Sequence, residues 1–196
     1  VIALDLFSKA GYAYWSNGKT EKAIQVFSKA LQYATELNNR NALIALNNNL
    51  ALLYTGKEDY RNALRHFQSA YELIRQLRTS KEQAEALMNI ASAQEGLQEY
   101  ELAIKTAQEA MQIAQEEQDL RLMRKGCGLL ASCYEKLGKS ELAFQYFGQF
   151  SALDREIKAM EYQSIRKEAQ EKVAVAEQEL SKTAGLLKET SDSLAV

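Results

Sequence analysis

The sequence predicts an all-α protein, an α-α superhelix of four helix pairs followed by a long C-terminal helix. Three observations carry this. The 196 residues contain no proline, and the alternation of β-branched and polar residues that marks a strand is missing. Long stretches are rich in Ala, Leu, Glu, Gln and Lys, all good helix formers. Above all, the chain repeats itself. The segments "GKTEKAIQVFSKAL" (18–31), "DYRNALRHFQSAYEL" (59–73), "EYELAIKTAQEAMQI" (99–113) and "KSELAFQYFGQFSAL" (139–153) align on Ala23, Ala63, Ala103 and Ala143, an interval of 40 residues each time. Periods of this size mark solenoids, in which each unit needs its neighbour to cover its apolar face.

Four units are predicted within residues 1–157, at about 1–38, 39–78, 79–118 and 119–157. Each holds two helices. The first helix carries a small residue and, three later, an aromatic one: Gly11 and Tyr14 in unit one, Ala51 and Tyr54 in unit two, Ala131 and Tyr134 in unit four. Unit three departs, with Ala91 followed by Gln94. The second helix carries an alanine, a large residue four on, and often another alanine three beyond, as in Ala23, Phe27, Ala30 and in Ala63, Phe67, Ala70. Small residues let antiparallel helices approach closely, and aromatic rings fill the space beside those contacts. Units three and four vary the theme with Ala107 and Phe150.

This pattern resembles the tetratricopeptide repeat (TPR) family, whose helices carry small-x-x-aromatic and Ala-x-x-x-Phe-x-x-Ala. The period of 40 exceeds the family's usual 34 or so, and the customary proline between repeats is missing, so the resemblance is to extended units with longer helices.

Residues 158–196 are a different object. A fifth unit would place its small residue and aromatic at Glu171 and Ala174, so none begins. One long helix is predicted instead, covering the last repeat as a cap at its start. Val173, Leu180, Leu187 and Leu194 recur every seven residues beside a weaker row of Ala169, Ala176, Thr183 and Thr190. That spacing fits a coiled coil, and so a homodimer through the C-terminal helix. A disordered extension is the equal alternative.

Composition excludes several classes. With 24 basic and 26 acidic residues spread evenly, the net charge is −2, and no basic stripe exists for nucleic acid or an anionic membrane. No apolar run reaches membrane-spanning length, "NALIAL" being about the longest. Starting at Val1 inside a helical pattern, the sequence is expected to be a piece of a longer chain, so missing targeting signals decide little. Cys127 and Cys133, six apart on one helix, point in different directions and read as buried small hydrophobes. A cytoplasmic location is the mild preference, with a periplasmic input domain as the alternative.

Catalytic constellations are thin, and no enzyme activity is expected. His66 is the only histidine, which rules out a two-histidine metal site; it reads as exposed and inert. "KGCGLL" (125–130) falls inside a helix and lacks the Lys-Ser/Thr of a phosphate loop, so its glycines read as helix-packing residues. Neither a cofactor nor a metal is predicted.

Binding is the richer prospect. What the TPR resemblance implies is a concave wall built by the first helix of each unit. On the family frame Tyr12 and Trp15 face the groove in unit one, Asn48 and Asn49 in unit two, Met88, Asn89 and Ser92 in unit three, and Lys125, Gly128 and Leu129 in unit four. Asn49 and Asn89 stand one period apart. An asparagine amide donates and accepts, so it can satisfy a peptide backbone whatever its side chains; kinesin light chains, with similar "NNLA" repeats, use such asparagines this way. Asn49 and Lys125 also fall on positions of the carboxylate clamp, but Ser8, Tyr12, Glu85 and Asn89 replace its other residues, which argues against that role. Asn47, on the face shared with Leu50 and Tyr54, reads as a buried structural amide. The predicted function is a protein-interaction module taking a peptide or helix of a partner through Asn48, Asn49, Asn89, Ser92, Lys125, Tyr12 and Trp15. The alternative is the sensory or regulatory input region of a bacterial signalling protein (histidine kinase, phosphatase or cyclase), transmitting through the C-terminal helix.

Overall fold

A computed structural model describes the backbone of residues 2–77 and 80–194, with side chains over 3–76 and 80–184. Among these residues there is no strand. Eight helices run α1 (Ile2–Ser16), α2 (Thr20–Glu36), α3 (Arg40–Gly56), α4 (Tyr60–Leu77), α5 (Ser80–Gly96), α6 (Tyr100–Glu116), α7 (Leu120–Lys136) and α8 (Ser140–Leu194). The chain divides into two units, Val1–Leu153 and Asp154–Val196.

The turns explain how helices stop without proline. Gly18, Asn38, Glu58, Gln98, Gln118 and Gly138 take φ of 47° to 71°, the left-handed region. At the first, the Gly18 N–H donates to the Trp15 carbonyl and the Lys19 N–H to that of Tyr14, both at 2.9 Å. The same pair of bonds recurs at every one of these turns, through Gly138 on Glu135 and Lys139 on Tyr134. This is the Schellman arrangement, which satisfies the last carbonyls of a helix and reverses the chain at once. Three helices then restart on a capping side chain, Asn39 accepting from the Ala42 N–H at 3.1 Å, Asp59 from the Asn62 N–H at 3.2 Å and Asp119 from the Leu122 N–H at 3.0 Å.

Within the first unit each helix from α1 to α7 packs on the next in chain order, and Tyr146 of α8 stacks on Tyr134 of α7 at 5.5 Å. The alanines on which the repeats align supply the close contacts: Ala23, Ala63 and Ala103 are 0% exposed. Phe27, wholly buried, packs into a cluster with Leu46, Leu50 and Leu53 of α3. A second cluster joins Ala51, Ala63 and Phe67 to Ile90 and Ala93 of α5, and a third runs from α5 through α7. Gly11 shows why a small residue is needed, since a Cβ there would lie 2.5 Å from the Phe27 ring. Gly126 of "KGCGLL" likewise seats Met111 and Met88, so it is the packing residue the sequence suggested.

α8 is both the second helix of the fourth pair and the long C-terminal helix. In its repeat portion Phe144 is 79% and Phe147 59% exposed. In the second unit the helix is braced by i,i+4 ion pairs, Lys158–Asp154 and Lys172–Glu168, both at 2.7 Å. Val173 and Leu180 are 57% and 71% exposed. The remaining heptad side chains, Leu187, Leu194 and Thr190, lie outside those described.

Candidate functional site

α1, α3, α5 and α7 stand side by side, and polar side chains connect them. The Asn49 amide donates to the Tyr12 hydroxyl at 2.8 Å, joining α3 to α1. Lys125 of α7 donates to the Asn89 carbonyl oxygen of α5 at 2.7 Å. One helical turn or two further along the same pair of helices, the Ser132 hydroxyl donates to Glu95. Four of the residues proposed as ligand contacts are thus partners of one another, Asn49 with Tyr12 and Asn89 with Lys125. Each keeps capacity: the lysine ammonium has two further N–H groups, and each asparagine has unused donor and acceptor sites.

The environment of these groups differs along the wall. Tyr12 is half exposed and rests edge-on against Phe27 at 5.3 Å, with Trp15 stacked beside it at 6.4 Å. Tyr12, Ala13, Trp15 and Ser16 line an open apolar depression of about 470 Å³. Between α5 and α7 lies a polar cleft of about 420 Å³ lined by Lys81, Glu85, Asn89, Asp119, Arg121, Leu122 and Lys125. Lys81 pairs with Asp119 across it at 3.3 Å. The side chain of Lys125 reaches solvent, yet desolvation by the cleft walls lowers its pKa, against the opposing pull of Glu85. The Asp119 carboxyl is held below the ordinary range, chiefly by the Leu122 N–H.

Other predicted contacts sit differently. Asn48 is half-buried, and its Oδ1 is closed off from solvent without a hydrogen-bond partner. Ser92 spends its proton on the Met88 carbonyl, 2.9 Å away on its own helix, and keeps only acceptor capacity. Met88 and Leu129 do not face a groove at all. They are 0% and 6% exposed, packed in the α5–α7 core. The family frame assumes an open wall at these positions, but where the residue is apolar the neighbouring helix covers it.

His66 is a second correction. It is half-buried, stacked on Tyr54 at 5.6 Å, and its Nδ1 pairs with Asn47 Oδ1 at 2.9 Å. Asn47 donates in turn to the Leu43 carbonyl at 2.8 Å and is 6% exposed, the buried structural amide expected. The Asn47 amide thereby turns its oxygen to the ring, so Nδ1 carries the proton. Burial, with a smaller push from Arg65, lowers the His66 pKa. The signal was present: a polar residue on the core face requires a partner, and His66 is the polar ring on the helix that pairs with it. Gln94 was missed as well. It occupies the aromatic position of unit three at 4% exposure, with Oε1 unpartnered.

Cys127 and Cys133 are free and buried. Burial pushes both thiols up, that of Cys133 to about 12 with help from Glu95, so at neutral pH both are protonated and unreactive. Among the described residues no three His, Cys, Asp or Glu side chains gather as a metal site would need. No described helix is long and apolar enough to cross a membrane.

Stacked antiparallel helix pairs at a constant spacing, with three-residue turns at each described junction, define an α-α repeat solenoid. The family model described as "Tetratricopeptide repeat" matches residues 3–76 and 41–116, and a second model of the same description matches 125–157. The chain belongs to the tetratricopeptide repeat family.

Solved structures agree on the fold. Aspartyl phosphate phosphatase F from Bacillus subtilis superposes with a TM-score of 0.70 at 21% identity, covering 79% of this chain and 41% of that one. The STAND signal transduction ATPase PH0952 from Pyrococcus horikoshii, with its tetratricopeptide repeat sensor, gives 0.73 at 21% identity, covering 81% of this chain and 25% of that one. The TPR-like repeats of a putative kinesin light chain from Podosopora anserina give 0.67 at 15% identity, covering 79% and 76%. The chain therefore spans well under half of the first two proteins. No curated protein sequence matches it.

Proposed function

We propose that the chain is a non-enzymatic interaction module whose wall of first helices takes an extended or helical peptide of a protein partner. The observation that carries this is the row of polar groups linking α1 to α3 and α5 to α7, each with hydrogen-bonding capacity left over. Such groups, held in place by their neighbours, meet a peptide backbone with little further ordering. Asn49, Asn89 and Lys125 supply the central polar contacts, Ser92 accepts, and Tyr12 with Trp15 offers an apolar anchor beside them. Asn48 contributes least, because its carbonyl oxygen is already closed off.

The test uses a peptide selected on the wild-type chain from a randomised phage-displayed library. Replacing Asn49 and Asn89 together by alanine is expected to leave helicity unchanged and to weaken that peptide by at least about tenfold. Unchanged affinity removes these asparagines from the site, and failure of the wild type to enrich any peptide rejects the function.

A second reading rests on α8, which runs unbroken to Leu194 with Val173 and Leu180 exposed in heptad register. In it the repeats are an input region of a bacterial signalling protein, and the helix passes their state onward through dimerisation. The resemblance to a repeat described as the sensor of a signal transduction ATPase supports the repeat fold in that setting. Sedimentation of the chain with and without residues 170–196 decides it: a monomer in both cases rejects transmission by a helical dimer.

A further inference from the structure

Inside the array, the second helix of every unit but the last is covered by the first helix of the next. Phe27 packs on Leu46, Leu50 and Leu53 of α3, and Phe67 on Ile90 and Ala93 of α5. The equivalent surface of α8 carries Phe144 and Phe147, both exposed. They line an open groove of about 470 Å³ with Gly128, Ala131, Ser132 and Glu135. The groove lies well within the sequence, and α8 runs on past it unbroken to Leu194.

The side chains that cover such a surface follow one spacing on every inner first helix. Positions i, i+4 and i+7 are Leu46, Leu50 and Leu53 on α3, Ala86, Ile90 and Ala93 on α5, and Gly126, Leu130 and Cys133 on α7, all buried. The same spacing recurs in the second unit at Ala169, Val173 and Ala176, all exposed, in the small, branched, small order of α5. The face a first helix turns to its own second helix is buried too, with Leu87 and Gln94 on α5 and Cys127 and Tyr134 on α7. At those positions the segment carries Gln170 and Glu177. An apolar inner face with a polar outer one is what the terminal cap of a solenoid requires.

We propose that the groove takes residues 169–176 of a second copy of the chain, so that two copies cap each other by exchanging their C-terminal helices. Within one unbroken helix these residues cannot turn back onto Phe144 and Phe147 of their own chain. From a second copy they arrive antiparallel, as each first helix does on the second helix before it. The register of Phe67 on Ile90 and Ala93 then sets Phe147 of one copy on Val173 and Ala176 of the other. An antiparallel pair of α8 helices is two-fold symmetric, so the reverse contact forms with it and both grooves fill at once. The same helical spacing brings in Tyr162 and Ile165, 69% and 66% exposed. Three aromatic rings from each chain, each covering about 150–250 Å², bring the contact to the size of a stable interface, about 1,200–2,000 Å² in total. Glu168 and Lys172 fall where first helices make polar links across the wall. They pair with each other at 2.7 Å, so the buried Leu129 of α7 leaves neither without a partner, and Lys172 keeps N–H groups for Glu135 at the groove. Nothing here requires Asn49 or Asn89, so the peptide-binding reading stands or falls separately.

Sedimentation velocity of the chain from about 1 to about 200 µM is expected to show a reversible dimer and nothing heavier. Phe147→Glu in the groove and Val173→Glu on the incoming helix, both at exposed sites, are each expected to weaken that dimer by at least about tenfold with unchanged far-UV circular dichroism. Chains carrying Phe144→Cys and Ala176→Cys, mixed and oxidised, are expected to join to each other and neither to itself. A wild-type chain that stays monomeric throughout overturns the proposal, as does mass rising past the dimer or either glutamate variant associating like wild type. Ala176→Cys joined to itself overturns it too, since that is the signature of parallel tails.

Discussion

The Asn47–His66 contact permits a quantitative test, because unit three shows what the same positions hold without it. There the equivalents are Leu87 and Thr106. Replacing Asn47 alone by leucine removes the acceptor for the His66 Nδ1 proton, 2.9 Å away, and leaves a half-buried N–H against hydrocarbon. An orphaned buried donor costs about 1–3 kcal/mol. Replacing His66 alone by threonine orphans the Asn47 carbonyl oxygen at 6% exposure, with a penalty of the same size, and also removes the ring stacked on Tyr54. The double variant orphans neither group, so it should be more stable than the sum of the singles predicts by about 1–2 kcal/mol. Urea denaturation at pH 7.5 measures the cycle. Additivity to within about 0.5 kcal/mol would refute the view that this bond joins the two helices. The same pair predicts a pH dependence. Burial lowers the His66 pKa from its ordinary 6.5, so as pH falls the unfolded chain takes its proton before the folded chain does. Wild-type stability is therefore full above pH 6.5 and declines through the window below it, until the folded protein is protonated too. The threonine variant lacks this step.

Two further predictions concern the backbone. Gln98 and Gln118 hold φ of 63° and 54°, which strains an L-residue by about 1–2 kcal/mol. Glycine at either is expected to raise stability by about 0.5–1 kcal/mol after its greater unfolded-state entropy; thermal denaturation shows it, and a lower melting temperature contradicts it. Gly11 and Gly148 should respond in opposite directions to alanine. At Gly11 the new Cβ meets the Phe27 ring, which costs about 1–3 kcal/mol, whereas at Gly148 nothing lies within 4 Å and helix propensity adds about 0.5–1 kcal/mol.

The architecture was readable because each unit repeats the same answer. Ala23, Ala63 and Ala103 marked helix contacts before any coordinates, and all three are fully buried. Asn47 was readable too, since a polar residue on a face with Leu50 and Tyr54 has to be satisfied internally. His66 was harder to read: Asn47 announced that a partner was needed, but the partner lies 19 residues later on another helix. The wall was half legible. Register placed Asn49, Asn89 and Lys125 on it, but the bond between Asn89 and Lys125 depends on how far α5 and α7 stand apart, a distance no periodicity encodes. Register likewise could not show that Met88 is covered by its neighbours. Of the left-handed residues, Glu58, Gln98 and Gln118 were invisible for a different reason. Glutamate and glutamine have no leaning toward that conformation, and the stacked helices on either side impose it.

The even placement of those turns limits how this chain can change. A single residue inserted into any 17-residue helix would rotate everything after it by about 100° and carry a buried alanine to the surface. Ordinary proteins absorb such an insertion in a loop. Here the six described turns are three residues long and committed to one bonding pattern, repeated from Gly18 to Gly138. The array has a phase as well as a length, and the smallest edit that preserves the phase is a whole repeat.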